Sequence, residues 1–267
     1  MPNEIVNVLL IGDIIGRPGR KIVYQKLPQL YEKYKLDCVI VNGENAAGGL
    51  GLTPAVANEL FKNGIAVITS GNHIWRKKEI FPYLDQTDRL LRPANYPPQV
   101  PGRGWTVLTL SCGTKLGVIN LEGRVFMRSL DCPFRKAEDI LKEMKKITSI
   151  IIVDFHAEAT SEKMALGWFL DGKVSAVLGT HTHVQTADET ILPQGTAYIT
   201  DVGMTGPIFS IIGMEKEHAL RGFLTQLPQK FKPAKGPVSL QGVIVTINVV
   251  SGKAEAIMRI REVSNGS

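Results

Sequence analysis

Thiols are scarce in this chain. Cys38, Cys112 and Cys132 are its only cysteines, odd in number and far apart, so they can build neither a disulfide framework nor a paired zinc knuckle. Such usage fits a reducing cytoplasm. Long apolar runs are missing too: the run over residues 5–11 is interrupted by Asn7 and stopped by Gly12-Asp13, which describes a buried strand. Nothing approaches the roughly 18 consecutive apolar residues of a membrane span. Aromatics make up only 7% of the chain, and the densest basic stretches, 142–146 and 230–235, contain no interleaved rows of rings. Both read as solvated faces and not as a stacking platform for nucleic acid. Low-complexity and Ser/Gly-rich linkers are also lacking, so the 267 residues read as one domain. The charge excess is mild, Lys+Arg 31 against Asp+Glu 25, and favours an anionic ligand through long-range steering.

What the chain does have is a repeated pairing of short β-branched runs with longer helix-compatible segments. The runs fall at 5–11, 38–41, 66–69, 116–121, 149–153, 175–178 and 196–200. Their near-continuous apolar character predicts burial on both faces. Amphipathic helices are expected over 19–35, 53–63, 77–84, 133–147 and 162–170; Thr53-Pro54 is a start signal and Asn63-Gly64 a stop. The segment from Asp88 to Gly104, rich in proline and glycine, predicts an irregular excursion over about 85–110 that forms a small lid. The tail, 238–263, alternates like two strands around Ser251-Gly252 and is expected to close a sheet edge.

The informative pattern lies where the strands end. Polar groups follow directly in Gly12-Asp13, Asn42-Gly43-Glu44-Asn45, Gly71-Asn72-His73, Asp154-Phe155-His156 and Thr180-His181-Thr182-His183. In α/β folds the carboxyl ends of strands are where ligands bind, so five strands deliver these groups to one rim. Four of the five histidines fall in these positions; only His218 does not.

His181 and His183, at i and i+2, would point the same way in extended backbone and can address one metal or two neighbouring ones. Asp13 and Glu44 add hard carboxylate oxygens, one of which can bridge two cations, and Asn45 and Asn72 add neutral carbonyls. A donor set of N and O without thiolate suits Fe, Mn or catalytic Zn. Two divalent cations, two carboxylates and a bridging hydroxide would leave a net charge of about +1, which attracts a phosphodiester monoanion. Gly12, Gly43, Gly71 and Gly179 are expected either to take positive φ or to permit close backbone approach. Gly16-Arg-Pro-Gly19 and Gly48-Gly49-Leu-Gly51 match no complete phosphate-loop pattern.

In order and spacing these blocks resemble those of the calcineurin-like metallophosphoesterases. The closer similarity is to the YmdB-like bacterial phosphodiesterases, through Asn42-Gly-Glu-Asn-Ala-Ala47, Asp154-Phe-His-Ala-Glu-Ala-Thr160, Gly179-Thr-His-Thr-His-Val-Gln-Thr186 and Ile199-Thr-Asp-Val-Gly-Met-Thr-Gly-Pro207. It extends over nearly the full chain. The wider superfamily has Asp-x-His at the first block and a bridging Asp at the second, where this chain has Asp13-Ile-Ile15 and Glu44.

The resemblance implies an αββα two-sheet sandwich, a dinuclear centre of two divalent ions per chain (iron first, then manganese or zinc), and hydrolysis of 2′,3′- and 3′,5′-cyclic nucleotides. It assigns Asp13, Asn45 and His183 to one metal and Asn72, His156 and His181 to the other, with Glu44 bridging. A metal-bridging hydroxide would attack phosphorus, and His73 would act as general acid on the leaving ribose oxygen. Asp154 and Glu158 could orient the ring of His156 or serve a turn or the surface, and Glu122 and Arg124 could meet substrate but read better as a loop ion pair. Asp201 and Thr205 could line the pocket or stabilise a turn, and Trp75 and Trp168 could stack on a nucleobase but read as packing residues. A homo-oligomer is a family-level expectation. The alternative is a metal-binding regulatory protein that acts on RNA turnover through a partner. A dinuclear amidohydrolase shares the ligand types but needs two histidines one residue apart near the start, which this chain lacks.

Overall fold

The computed structural model describes residues 4–264. Its first half runs β1 (Ile5–Ile11), β2 (Asp13–Ile14), α1 (Gly16–Tyr34), β3 (Cys38–Asn42), α2 (Pro54–Lys62), β4 (Val67–Thr69), α3 (Ile80–Leu84), β5 (Trp105–Thr109) and β6 (Lys115–Glu122). Then follow α4 (Pro133–Met144), β7 (Ile151–His156), α5 (Thr160–Leu170), β8 (Ala176–Thr180), β9 (Thr190–Ile191), β10 (Ala197–Ile199), β11 (Met204–Pro207), α6 (Lys216–Thr225), β12 (Val238–Asn248) and β13 (Ala254–Val263).

These strands form two sheets. One has seven strands in the order β2-β11-β12-β1-β3-β4, with β13 on the other edge of β12; the second has six, ordered β5-β6-β7-β8-β10-β9. The period-two alternation of a strand decides how they stack. Val6, Val8 and Leu10 of β1 and Cys38 and Ile40 of β3 face Val118, Ile152 and Leu178 of the other sheet. Leu9, Ile11, Val39 and Val41, on the opposite face, pack under α1 and α2 with Ile22, Leu27 and Leu60. Ile151, Val153 and Phe155 do the same on the far side, against Ile140 and Leu141 of α4 and Leu166 and Leu170 of α5. Three apolar layers between four structural ones make the αββα sandwich, and they account for the continuous hydrophobic runs.

The helix expected over 77–84 is shorter. Only Ile80–Leu84 is α-helical, preceded by a 3₁₀ turn at Ile74–Arg76. Pro82 has no N–H to give and so fits only within the first turn. Between β4 and β5 the chain crosses from one sheet to the other: Leu91 N donates to Ile68 O, Ala94 N to Asn120 O, and Asn120 N to Gly104 O. Leu90 and Leu91 are buried by that crossing. The composition of 85–110 gives no hint of β5, which pairs antiparallel with β6. The tail forms the hairpin β12–β13, as its alternation predicts.

Candidate metal centre

The apolar layer between the sheets turns polar at one end. Continuing the same inward face, Ile40 is followed by Asn42, Val67 by Thr69, Val118 by Asn120 and Glu122, Ile152 by Asp154 and His156, and Leu178 by Thr180. All of these polar side chains are buried. Two of the glycines that precede or adjoin this rim are there for space: a Cβ on Gly71 would sit 2.0 Å from Cδ2 of His156, and one on Gly12 would sit 2.0 Å from the carbonyl oxygen of Gly203. Neither has positive φ.

All eight sequence-nominated residues converge here. Glu44 Oε1 lies 3.3 Å from Nε2 of His156 and 3.3 Å from Nδ1 of His73. Asn72 Oδ1 is 3.2 Å from the same His156 nitrogen, and Nδ1 of His181 is 3.0 Å from it. Glu44, His156 and His181 offer ligand atoms all within 4.8 Å of one another. A second group stands beside them: His183 Nε2 is 3.7 Å from Asp13 Oδ1 and 3.4 Å from Asn45 Nδ2, while Asn45 Nδ2 donates to Glu44 Oε1 at 3.1 Å. Glu44 and Asn45 thus join the two groups.

Hydrogen bonding around the rings selects which nitrogen is left bare. Thr180 Oγ1 donates to Asp154 Oδ1 at 2.7 Å and so accepts from His156 Nδ1 at 2.9 Å, which leaves the Nε2 lone pair toward the centre. His183 Nδ1 donates to the carbonyl of Ile212 at 2.9 Å, leaving Nε2 toward Asp13. His181 Nε2 lies 3.0 Å from Glu158, so Nδ1 faces inward. Asp154 therefore orients His156 through Thr180, and Glu158 contacts His181 instead of His156. His181 and His183 are not extended: their φ values are 101° and 65°. Backbone strain of this kind is held in place by surrounding structure and clusters at functional sites.

The donor set fits divalent cations. Nε2 of His156 meets three acceptors, more than a single proton can serve, and Asp13 Oδ1 is buried with no hydrogen-bond partner among the described residues. Burial alone would raise Glu44 and Asp13, yet His156 and His73 hold Glu44 well below the usual carboxylate range, and His183 holds Asp13 down. His156 runs the other way: burial opposes its charge, but Glu44 and Asp13 push it up to about 10. The proton on His156 balances charge that a bound cation would balance instead. His181, lowered to about 3 by burial and by His156, is already neutral. Asn45 turns its amide nitrogen to Glu44 and His183 and its Oδ1 to His73 Nδ1, 2.8 Å away; ligation through oxygen requires that amide to flip.

Two neighbours, Lys163 and Glu122, carry no signal in the sequence or are placed differently from it. Lys163 of α5, fully buried, donates to Asp201 Oδ2 at 2.8 Å, and a lone lysine in a helix gives no hint of that. Glu122 makes no ion pair with Arg124; its two buried oxygens have no hydrogen-bond partner among the described residues, and burial pushes it up to about 7. Trp75 packs edge-on against Phe81 and Tyr96, while Trp168 is exposed on α5.

A model of the family described as YmdB-like protein matches residues 9–260. The 2′,3′-cyclic-nucleotide 2′-phosphodiesterase of Bacillus subtilis is 52% identical over 255 residues, covering 96% of each chain. A crystal structure of a hypothetical protein from Thermus thermophilus superposes with a TM-score of 0.91 at 44% identity, over 97% of this chain and 100% of that one. A novel phosphatase from Mycoplasma pneumoniae gives a TM-score of 0.91 at 37% identity, over 98% of this chain and 95% of its own.

Proposed function

The chain belongs to the YmdB-like family, and from that premise we propose that it is a metal-dependent phosphodiesterase that hydrolyses 2′,3′- and 3′,5′-cyclic nucleotides. The observation that carries this reading is the facing of His156 Nε2 and His181 Nδ1 at 3.0 Å beside the buried carboxylates of Glu44 and Asp13, an electron-rich centre suited to cations. Asp13, Asn45 and His183 would hold one divalent ion, and Asn72, His156 and His181 a second, with Glu44 shared. Iron is the ion proposed; manganese and zinc suit the same oxygen and nitrogen donors. Such ions supply Lewis acidity at the phosphoryl oxygens and a coordinated water that ionises near neutral pH.

The chain's own groups then manage orientation and protons. His73 is fixed at two points, its main-chain N–H on Glu44 Oε2 at 3.0 Å and its Nδ1 3.3 Å from Glu44 Oε1, a contact that does not depend on how the Asn45 amide is turned. Nε2 is left to carry the mobile proton. As imidazolium, His73 donates that proton to the departing ribose oxygen while the P–O bond breaks, and the ring returns to neutral. General-acid help of this kind is worth about 10²- to 10⁴-fold. Asp154 and Thr180 meanwhile keep the proton of His156 on Nδ1. The test compares wild type with Asp13→Ala on 2′,3′-cyclic AMP in the presence of Fe²⁺ or Mn²⁺. The variant should lose at least about 10²-fold in kcat/KM; a wild type inert toward every cyclic nucleotide would overturn the reading.

One observation favours a second reading, a regulatory protein working on RNA turnover through a partner, in the cytoplasm. Helix α6 buries only Ala219 and leaves Leu220, Phe223 and Leu224 exposed, an apolar face that a partner protein or a second copy of the chain would cover. Normal diesterase turnover by the isolated protein would exclude a purely regulatory role.

A further inference from the structure

A bulky residue sits where glycine belongs. In the turn Arg124-Val125-Phe126-Met127, closed by Met127 N donating to Arg124 O at 3.2 Å, Phe126 occupies the third position with φ 61°. That position of a type II turn asks for positive φ, which glycine takes freely and a phenylalanine adopts only under strain. Nothing in the fold rewards the choice, because Phe126 is 89% exposed. Strain that packing does not explain points to a use for the side chain.

The turn is held rigidly and close to the candidate metal centre. Glu162 of α5, itself buried, accepts the backbone N–H groups of Arg124 at 3.0 Å and Val125 at 3.1 Å. Asn95 clamps both ends: its Oδ1 accepts from Glu122 N at 2.9 Å, and its Nδ2 donates to Glu122 O at 2.8 Å and Asp131 O at 3.0 Å. The loop departs from Glu122, which is paired in register with His156, and Gly123 N donates to His156 O at 3.0 Å. Three residue-to-residue steps lead from Gly123 to Phe126, a reach of at most about 11 Å. A nucleoside phosphate with its phosphorus at the centre extends its base over a comparable span.

Resting on the phosphodiesterase reading above, we propose that Phe126 is the base-stacking residue of the substrate site: its ring, held out by the clamped turn, lies against the nucleobase of the cyclic nucleotide. A ring face accepts any base, so the turn selects nucleotides over base-free phosphodiesters without choosing among bases. Arg124 and Arg128 stand two residues before and after Phe126 in the sequence, both are exposed, and neither forms an ion pair among the described residues, so their charge is available to the anionic substrate.

The test is a pair of substrates and a set of variants. Wild type, Phe126→Ala, Phe126→Gly and Phe126→Trp are assayed on 2′,3′-cyclic AMP and on ribose 2,3-cyclic phosphate, a diester with no base and no aromatic ring. Binding of adenosine 3′-monophosphate and of ribose 3-phosphate is measured by calorimetry alongside. Loss of stacking should raise KM for the cyclic nucleotide by about tenfold, leave kcat and the base-free diester unchanged, and abolish the preference for adenosine 3′-monophosphate over ribose 3-phosphate. Phe126→Trp should restore wild-type KM. Phe126→Gly should melt no lower than wild type, since it relieves the turn, and a KM change in it therefore cannot come from misfolding. Equal KM in wild type and Phe126→Gly overturns the stacking role while leaving the hydrolase intact. A wild type that cleaves neither substrate overturns the phosphodiesterase reading, and the stacking role with it.

Discussion

The ammonium of Lys163 lies 2.8 Å from Oδ2 of Asp201, and neither side chain reaches solvent. The same carboxylate oxygen accepts the backbone N–H of Thr182 at 3.0 Å and its hydroxyl at 2.8 Å, while Oδ1 accepts Gly203 N at 2.8 Å. Thr182 separates the two histidines with positive φ. The buried pair thus pins the middle of the loop that carries them.

Removing one member leaves the other buried without its countercharge. Lys163→Met should cost about 3–5 kcal/mol and lower Tm by roughly 10 °C. It should also weaken metal binding, because the loop is no longer held. Lys163→Arg, which keeps the charge, should lose less. Calorimetric melting and metal titration check both, and a Lys163→Met protein with wild-type Tm would contradict the assignment.

His73→Gln removes the candidate proton donor without removing a candidate ligand. Turnover on a cyclic nucleotide should fall by about 10²- to 10⁴-fold, with metal content at the wild-type level. Elemental analysis of the variant separates the alternatives: loss of metal would make His73 a ligand.

Gly71→Ala should displace the ring of His156, since the added Cβ would stand 2.0 Å from Cδ2. Cβ atoms do not approach ring atoms so closely, and either the β4 loop or the imidazole must move. The expected result is a loss of metal affinity exceeding tenfold, read by titration, with secondary structure by circular dichroism preserved. Wild-type affinity would show that the ring position does not matter to the centre.

Metal uptake should release protons. His156, held up to about 10 by Glu44 and Asp13 despite burial, is protonated in the metal-free protein near pH 8 and must lose that proton to ligate. His181, near 3, has none to lose. Apparent affinity should therefore rise with pH below about 10, with close to one proton released from His156. Calorimetry in buffers of differing ionisation enthalpy counts it; affinity independent of pH between 6 and 9 would contradict the charge balance drawn here.

The layering is legible in the sequence because buried parallel strands are written as unbroken apolar runs, and the rim because each run ends in a polar residue on the inward face, as Ile40 leads to Asn42 and Leu178 to Thr180. The spacing His181-Thr-His183 announces two imidazoles, but not their positive φ values, which arise from the grip of Asp201 on Thr182. Lys163 is invisible because burial of a helical lysine depends on what packs above it. Phe126 is invisible for the opposite reason: a turn glycine would be the local expectation, and only the backbone geometry exposes the exception. The helix expected over 77–84 is cut short because Pro82 lies inside it.

Elemental analysis of anaerobically purified protein, coupled to hydrolysis of 2′,3′-cyclic AMP before and after chelation, tests the central claim most directly. The account predicts about two first-row divalent ions per chain, activity lost on chelation and restored by Fe²⁺ or Mn²⁺, and neither metal nor activity in Glu44→Gln. A fully active preparation without metal would contradict it.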